Sequence, residues 1–382
     1  MNKIALLSHR FGNIGHNFMA LGAEEAAREA FGSDIAITHF EQHTPFCIYP
    51  DGHWLRWVDK IRHGRAGWLR KYLAREQVCR RFWPQSRPLP YRLAVACGGP
   101  TMVAGAGSTP EMQVMSHHFY GAFSYHDVPV IDAAVGSCFP IEEVPAGLNA
   151  TDQEYYRRLI RQTKLITVRE PVARNMYATV DCAAPLLPCI AICSGRYFEK
   201  VRLRYADESQ YIVVNFQAKG SNDDWGQGID GVAWAHLVQG VISDLRRDGH
   251  KLIMLCHSKY EARLARSLAP DLPVAEPKTE EEYAEVIARA RVGFVSRIHA
   301  GVALAGVGVP SLVVGNDTRL GTTAEMGLPS FFTKRVTREF VVAELNRLLQ
   351  LGEEEKARLI RLREETISKY GRLFAEHARN QL

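Results

Sequence analysis

The chain has 382 residues, of which 46% are hydrophobic, and it carries 47 Lys and Arg against 42 Asp and Glu. This length exceeds one ordinary hydrophobic core and predicts two domains of roughly 150 to 200 residues. The composition excludes a disordered chain, and no apolar run approaches the roughly 18 residues that a membrane-spanning helix needs. We therefore expect a two-domain protein that lies in the cytoplasm.

Apolar runs alternate with amphipathic stretches, which is typical of a doubly wound α/β protein. The strands predicted in the first half are 4–8, 35–38, 93–97, 128–134 and 165–168, and the helices are 16–31, 152–161 and 171–178. The second half follows with strands at 211–216, 252–256, 292–295 and 311–314, helices at 232–247, 259–268 and 280–290, and a charged helical pair from 337 onward. The chain turns polar between Cys193 and Glu208. We expect an N-terminal domain of 1–200 and a C-terminal domain of 201–382, whose last helix packs back on the first domain.

The eight cysteines argue against two kinds of site. No CxxC pair occurs, and Cys189 and Cys193, four residues apart, have no second pair to complete a metal centre. The pattern disfavours a zinc site and a disulfide framework and favours a reducing compartment. No metal and no cofactor are predicted.

A basic and aromatic insertion spans about 50–90. Residues 54–87 hold ten Lys or Arg against two acids, a balance of +8, while the whole chain is only +5. Four of the six tryptophans lie there as well. Such a mixture suits the surface of an anionic membrane, and the alternative is an insertion whose aromatic residues pack on the first domain. A nucleic-acid partner is not expected, because the basic bias is local and no recognition motif accompanies it.

Glycine-rich turns follow three predicted strands, at 11–17, 97–100 and 134–137. Glycine permits positive φ and lets a ligand approach the backbone closely. None of these turns has the spacing of a GxGxxG or GxxxxGK[ST] nucleotide loop. Each one fits an ordinary strand-to-helix connection equally well, but together they are predicted to line one rim.

The strongest local signal follows the strand predicted at 292–295. Ser296, Arg297 and His299 stand between that strand and a small-residue helix that begins near Ala300 and Gly301. A helix N-terminus offers free N–H donors and a partial positive charge. A fixed cation and a titratable imidazole there suit an anionic substrate that also needs a proton moved. The alternative is an ion-paired Arg297 and a His299 that caps the helix.

Several motifs occur together in one order along the chain. The sequence resembles the polysaccharide pyruvyl transferase family in Asn13-Ile14-Gly15, Gly98-Gly99, Thr167-Val168-Arg169-Glu170, Ser296-Arg297-Ile298-His299-Ala300-Gly301 and Gly308-Val309-Pro310. The resemblance implies a GT-B-like fold, with two Rossmann-type doubly wound domains facing a central cleft. It also implies transfer of a pyruvyl group from phosphoenolpyruvate onto two hydroxyls of a sugar, which forms a cyclic ketal and releases phosphate.

The resemblance also implies roles for individual residues. Arg169, Arg297 and Arg319 would bind phosphoenolpyruvate together with Ser296, Ala300 and Gly301. His299 would be the catalytic proton donor, with Arg297 beside it. The phosphate and the carboxylate of phosphoenolpyruvate require such a fork of cations, for which the planar guanidinium is suited. The chain departs from the family at His16, where an aspartate is common, and at Arg319, where a lysine is usual.

The acceptor is expected to be a sugar of a surface polysaccharide or its lipid-linked precursor, at the inner face of the plasma membrane. The residues predicted to contact it are Asn13, Gly15, His16, Asn17, Gly98 and Gly99, with Gln217 and Lys219 from the second domain. Two other functions stay open. One is a GT-B glycosyltransferase that uses a nucleotide sugar, and the other is a catalytically inactive binding protein of a glycan-assembly complex.

Overall fold

Two parallel β-sheets, each flanked by helices, form the frame of the protein. The computed structural model describes residues 3–8, 13–42, 44–59, 67–87, 90–97, 99–203, 210–221 and 225–379. The N-terminal strands are β1 Lys3–Ser8, β2 Ala36–Glu41, β3 Leu93–Cys97, β4 Val130–Val135 and β5 Leu165–Val168. The C-terminal strands are β6 Tyr211–Asn215, β7 Leu252–Leu255, β8 Val274–Ala275, β9 Ala290–Val295, β10 Ser311–Gly315 and β11 Ser330–Phe332.

The order of strands fixes where a ligand can bind. The first sheet has the order β2-β1-β3-β4-β5 and the second has the order β11-β10-β9-β6-β7-β8. In the first sheet the order reverses between β1 and β3, and in the second it reverses between β6 and β9. In open parallel sheets, ligands bind outside the carboxyl ends of the strands at such a switch point.

Helices cover both faces of each sheet. The N-terminal ones are α1 Ile14–Phe31, α2 Trp54–Val58, α3 Gly67–Leu73, α4 Glu76–Cys79, α5 Pro110–Ser116, α6 Ala122–Tyr125, α7 Ala150–Gln162, α8 Pro171–Ala178 and α9 Gly195–Arg202. Those that follow are α10 Gly231–Arg247, α11 Lys259–Leu268, α12 Glu280–Ala288, α13 Ile298–Gly306, α14 Leu320–Ala324, α15 Arg338–Gln350 and α16 Gly352–His377. Among the described helices, none is long and apolar enough to cross a lipid bilayer.

The predicted α/β alternation is confirmed, and most predicted strands and long helices lie within a few residues of their observed bounds. The main difference is the stretch 110–125, where the sequence analysis predicts no helix. There α5 and α6 are joined by a π-helical turn, His117–Gly121, whose side chains are buried. Mixed polar and aromatic residues hide the helical period in this stretch, because the helix is buried on more than one side.

The two domains share one core at their interface. The α1 residues Phe18 and Met19 belong to the same buried cluster as Leu304 of α13 and Tyr370 of α16. A Cβ built on Gly195 would lie 2.0 Å from the Gly306 carbonyl oxygen, so only glycine permits this close contact between α9 and α13. The last helix therefore packs on the N-terminal domain, and the domains are held together by apolar burial as well as by polar contacts.

Five buried ionisable groups make stability depend on pH. Burial lowers the pKa of His117 and of His257 to about 4, and it lowers the pKa of His118 to about 3. It also lowers the pKa of His299 well below its usual value. Asp132 on β4 behaves in the opposite way, because burial raises the pKa of its carboxyl to about 7. The folded chain thus holds these four imidazoles neutral and one carboxyl that stays protonated in mild acid.

We expect the free energy of unfolding to fall as pH drops from about 6.5 toward 4, because mainly the unfolded chain binds protons at these four histidines in that window. Each histidine contributes on the order of 3 kcal/mol to this loss. Asp132 partly offsets it, since its carboxyl is protonated in the folded chain and ionised in the unfolded chain. Asp132→Asn should therefore make the acid-side loss steeper, as measured by urea unfolding across this range. An unchanged or shallower slope would contradict the assignment.

Candidate functional site

The carboxyl edges of the two sheets face a common cavity of about 370 Å³. The N-terminal domain lines it with Asn13 and His16 after β1, Pro100 after β3 and Arg169 after β5. The C-terminal domain lines it with the loops after β6, β9 and β10. The cavity therefore joins the switch points of both sheets, and its volume lies in the range of small-molecule sites.

Two helices begin at this cavity. Helix α1 begins at Ile14, where the Asn13 side chain accepts a hydrogen bond from the Gly15 N–H. Helix α13 begins at Ile298. A Cβ built on Gly15 would lie 2.8 Å from the Cβ of His299, so the absence of a side chain at Gly15 lets the two helix ends meet. Each helix N-terminus carries roughly half a positive charge, so both favour an anion between them.

Arg169 lies beside these helix ends and is only 1% exposed. Its Nη1 lies 3.3 Å from Nε2 of His299, 3.5 Å from Sδ of Met19 and 3.6 Å from Sγ of Cys189. Its Nε has no hydrogen-bond partner among the described residues. In that part of the chain no carboxylate lies within ion-pair distance of the guanidinium. A buried charge without a counter-charge is costly, which indicates that an anion completes this site.

The backbone around Arg169 is shaped to admit the guanidinium. A Cβ on Gly136, in the turn after β4, would lie 2.4 Å from Nε of Arg169. Just before that turn, Ala134 has a left-handed φ of 57°, and the register between β4 and β5 shifts between Asp132 and Val135. This bulge alters the course of β4 where it ends beside Arg169. The glycine turn at 134–137 thus makes room for a side chain.

Arg297 is paired with a buried carboxylate. Its Nε donates to Oε1 of Glu261 at 2.8 Å, and Glu261 on α11 is 1% exposed. The other carboxylate oxygen accepts from the His257 N–H and from the Asn215 side chain. Burial alone would raise the pKa of Glu261, but Arg297, followed by His257, holds it below its usual value. The positive charge of Arg297 is therefore largely neutralised within the protein.

Arg319 is paired in the same way. Its Nε donates to Oδ1 of Asp317 at 2.8 Å, and its Nη2 donates to the Ser221 hydroxyl at 2.9 Å. Burial would raise the pKa of Asp317, but the hydrogen bond from Arg319 and its positive charge lower it. The intervening Thr318 hydroxyl accepts from the Phe139 N–H of the N-terminal domain at 3.0 Å. The loop after β10 therefore carries an ion pair and a contact between the domains.

His299 is neutral in this environment. Burial, followed by the charge of Arg169, lowers the pKa of His299 well below its usual value. Because Arg169 donates to Nε2, the ring proton belongs on Nδ1. A neutral imidazole accepts protons more readily than it donates them, so the unliganded site holds His299 as a base.

A hydrogen-bond chain links the domains on the other side of α1. The Tyr283 hydroxyl lies 3.0 Å from Nε2 of His257, and Nδ1 of His257 lies 3.1 Å from Oδ1 of Asn13. Since Asn13 Oδ1 also accepts from the Gly15 N–H, His257 carries its proton on Nδ1 and accepts from Tyr283. These hydrogen bonds fix the N-terminus of α1 relative to the C-terminal domain.

The structure places eight of the predicted site residues on the cavity wall. They are Asn13, His16, Arg169, Gln217, Ser296, Arg297, His299 and Arg319. Ala300 and Gly301 are buried in the first turn of α13, Gly15 packs on His299, and Asn17 donates to Glu280 at 2.8 Å. Gly99 and Lys219 are not among the residues that line the cavity, and Gly98 lies outside the described residues.

Sequence reasoning missed the two carboxylates that pair with the arginines. Asp317 stands two residues before Arg319, so the pair could have been read from the sequence. Glu261 stands three residues after Ser258, which indicates a helix capping box. Ser258 does cap α11, but the Glu261 carboxylate contacts Arg297, a partner that only the fold brings near. Within the described residues, no group of three His, Cys, Asp or Glu could hold a metal ion.

The fold is that of a known class of enzymes. A UDP-GlcNAc 2-epimerase from Methanocaldococcus jannaschii matches 98% of this chain and 99% of its own, with a TM-score of 0.57 and 10% identity. The same enzyme from Neisseria meningitidis, bound to UDP-GlcNAc, matches 98% of this chain and 99% of its own, with a TM-score of 0.54 and 9% identity. HepE from Anabaena, in complex with UDP and glucose, matches over 98% and 99% with a TM-score of 0.52 and 12% identity. The chain has the GT-B fold.

These comparisons correct the predicted activity. No protein-family model and no curated protein match the sequence. The solved structures named above are of proteins that act on or bind nucleotide sugars or UDP, and none of them is a pyruvyl transferase. Transfer of a pyruvyl group, and phosphoenolpyruvate as a partner, were therefore wrong predictions.

The cavity supplies a physical reason for this correction. Of the three arginines predicted to bind phosphoenolpyruvate, Arg297 and Arg319 are each paired with a carboxylate. A phosphate monoester carries about −1.5 to −2 at pH 7, and the carboxylate of phosphoenolpyruvate adds about −1. The fork of three uncompensated guanidinium groups expected for this donor is therefore absent, since only Arg169 lacks a carboxylate partner among the described residues.

We predict that two arginine substitutions change stability in opposite directions. Arg169→Met should raise the free energy of unfolding of the unliganded protein by about 1 to 4 kcal/mol, because it replaces a buried cation without a counter-charge. Arg297→Met should lower it by about 3 to 5 kcal/mol, because it leaves Glu261 buried without its cation. Urea unfolding of both variants measures the two signs. A destabilised Arg169→Met would show that the guanidinium is structurally compensated.

Proposed function

We propose that the cavity binds a nucleoside-diphosphate sugar and that the enzyme transfers its glycosyl group to a hydroxyl of a sugar acceptor. The observation that carries the proposal is the buried Arg169 guanidinium at the meeting point of two helix N-termini. Together they offer roughly +2, which matches the diphosphate of a nucleotide sugar, with about one negative charge on each phosphate. The likeness to folds that hold UDP sugars supports uridine as the nucleoside.

Glycosyl transfer needs a group that stabilises the leaving diphosphate and a base for the acceptor hydroxyl. The bond between the anomeric carbon and the diphosphate oxygen breaks, and a new bond forms from that carbon to the acceptor oxygen. Arg169 and the helix ends stabilise the charge on the departing diphosphate. As the Arg169 guanidinium turns to the diphosphate, Nε2 of neutral His299 is released and accepts the proton of the acceptor hydroxyl. A diphosphate bound to Arg169 also offsets one of the charges that lower the pKa of His299.

We also propose that the enzyme works at a membrane surface, where a lipid-linked sugar acceptor is presented. The exposed basic and aromatic residues of 54–87 support this location. The acceptor itself would enter beside His16, which lines the cavity with its ring centroid 6.0 Å from that of His299.

UDP binding tests the donor. In a calorimetric titration, UDP should bind the wild-type protein, and Arg169→Met should weaken it by about 30-fold or more, the effect of losing roughly 2 kcal/mol from a charge-assisted contact. Arg372→Met, on the exposed face of α16, is the matched control and should bind as the wild type does. Binding of UDP by Arg169→Met at wild-type affinity would refute the assigned diphosphate site.

The pH profile tests His299. Because the pKa of His299 lies below its usual value of about 6.5, transfer should stay constant through neutral pH and fall only in more acidic solution. His299→Gln keeps the size and one N–H donor, so it should retain UDP binding while turnover falls by about 10²- to 10⁴-fold. The remaining activity should lack the acid limb. Full activity in this variant would exclude His299 as the base.

Product analysis separates transfer from the other reaction of nucleotide sugars. Incubation with a UDP sugar and a sugar acceptor should release UDP and give a product that contains the acceptor. A UDP sugar whose configuration at C2 is inverted, formed without acceptor, would instead indicate a 2-epimerase. Either product would support the donor site, but only the product that contains the acceptor would support glycosyl transfer.

A further inference from the structure

Helices α2 and α3, both in the basic insertion of the N-terminal domain, expose four large aromatic side chains. Trp54 and Trp57 of α2 are 48% and 65% exposed, and Trp68 and Tyr72 of α3 are 73% and 43% exposed. Within each helix the two residues are three or four positions apart and therefore lie on the same face. Exposed tryptophans are uncommon in a folded domain, so this surface is expected to be covered by something.

The same segment is firmly attached to the domain by other side chains. Trp83 is 8% exposed and donates its Nε1–H to the His117 carbonyl at 2.9 Å. Leu55 of α2 and Leu73 of α3 are fully buried in the core of the N-terminal domain. The insertion therefore has a packed side and an exposed aromatic side. Trp83 is buried, Trp54 packs in part on Phe82, and Trp57 and Trp68 are mostly exposed.

The charges around the exposed rings are positive and available. Lys71, Arg75 and Arg81 are exposed, and none has a carboxylate partner within the described ranges. The two acids of the segment are already engaged. Asp59 accepts a hydrogen bond from the Phe46 N–H. Glu76 is paired with Arg80. Burial would raise the pKa of Glu76, but the hydrogen bond from Arg80 outweighs this effect and lowers it. The surface thus combines uncompensated cations with aromatic rings.

We propose that this surface, made by Trp54, Trp57, Trp68, Tyr72 and the neighbouring basic residues, docks on an anionic lipid bilayer. Tryptophan and tyrosine rings place an apolar body and a polar edge at the boundary between head groups and acyl chains. Lysine and arginine beside them are attracted to anionic head groups. The sequence balance of +8 in 54–87, against +5 for the whole chain, leaves the rest of the chain without an excess of positive charge, so the attraction is expected at this segment. The proposal rests on the proposed membrane location and is independent of the donor site.

Liposome co-sedimentation tests the aromatic contribution. Vesicles of phosphatidylcholine with 30% phosphatidylglycerol should sediment most of the wild-type protein at low salt, and pure phosphatidylcholine should sediment little. Replacing Trp54, Trp57 and Trp68 together by alanine should lower binding at least tenfold. Tyr260→Ala, which removes an aromatic side chain that is 56% exposed elsewhere, should leave binding unchanged.

A charge-reversal variant tests the electrostatic contribution. Lys71→Glu, Arg75→Glu and Arg81→Glu together should abolish binding, and about 0.5 M salt should do so for the wild type, because such salt screens surface charges. The matched control reverses three exposed cations elsewhere, namely Lys251, Arg361 and Arg372. This control has the same net charge and should still sediment.

The outcomes distinguish the occupants of the surface. Equal loss in both charge variants would show a non-specific charge effect and overturn the docking surface. Failure of the wild-type protein to sediment with anionic vesicles would also overturn the docking surface. So would a dimer, seen by sedimentation velocity, that dissociates when the three tryptophans are replaced, since a second copy of the chain would then cover the rings. UDP binding, measured on the same variants, should remain at the wild-type level, so a failure of docking is separable from a failure of the donor site.

Discussion

The cavity between the two sheets depends on a positive charge that has no carboxylate partner among the described residues. The Arg169 guanidinium fits into the interior because Gly136 has no side chain, and it contacts the sulfur atoms of Met19 and Cys189 and the ring of His299. Such an arrangement costs stability in the empty protein and favours binding of an anion. The neutral state of His299 follows from its burial and from the same charge. Under the proposed function, one buried guanidinium links the affinity for a diphosphate to the protonation state of the imidazole beside it.

The other two arginines have a different function. Arg297 and Arg319 form ion pairs with Glu261 and Asp317, and those pairs shape the loops after β9 and β10. Contacts from these loops and from the N-terminus of α1 to the opposite domain hold the cleft in one geometry. Because these two carboxylates cancel the charges of Arg297 and Arg319, the net positive charge of the cavity comes from Arg169 and the two helix N-termini.

The sequence predicted the fold well because apolar runs, glycine turns and amphipathic periods are local signals. The resemblance also implied that Arg169, Arg297, His299 and Arg319 act together, and they line one cavity because the carboxyl edges of both sheets face it. It did not predict the charge of the cavity. Glu261 neutralises Arg297 from a helix 36 residues away in sequence, and a short motif contains no information on such a partner. A resemblance carried by arginine and glycine motifs therefore led to the wrong donor on the right fold.

A crystal structure of the protein with bound UDP would show whether Arg169 binds the diphosphate. We expect the diphosphate to lie between the N-termini of α1 and α13, with a phosphate oxygen within hydrogen-bond distance of the Arg169 guanidinium and of the backbone N–H groups at Ile298 and His299. Arg297 should remain paired with Glu261. A diphosphate bound away from Arg169, or bound only after Arg297 or Arg319 has left its carboxylate, would show that Arg169 does not form the donor site.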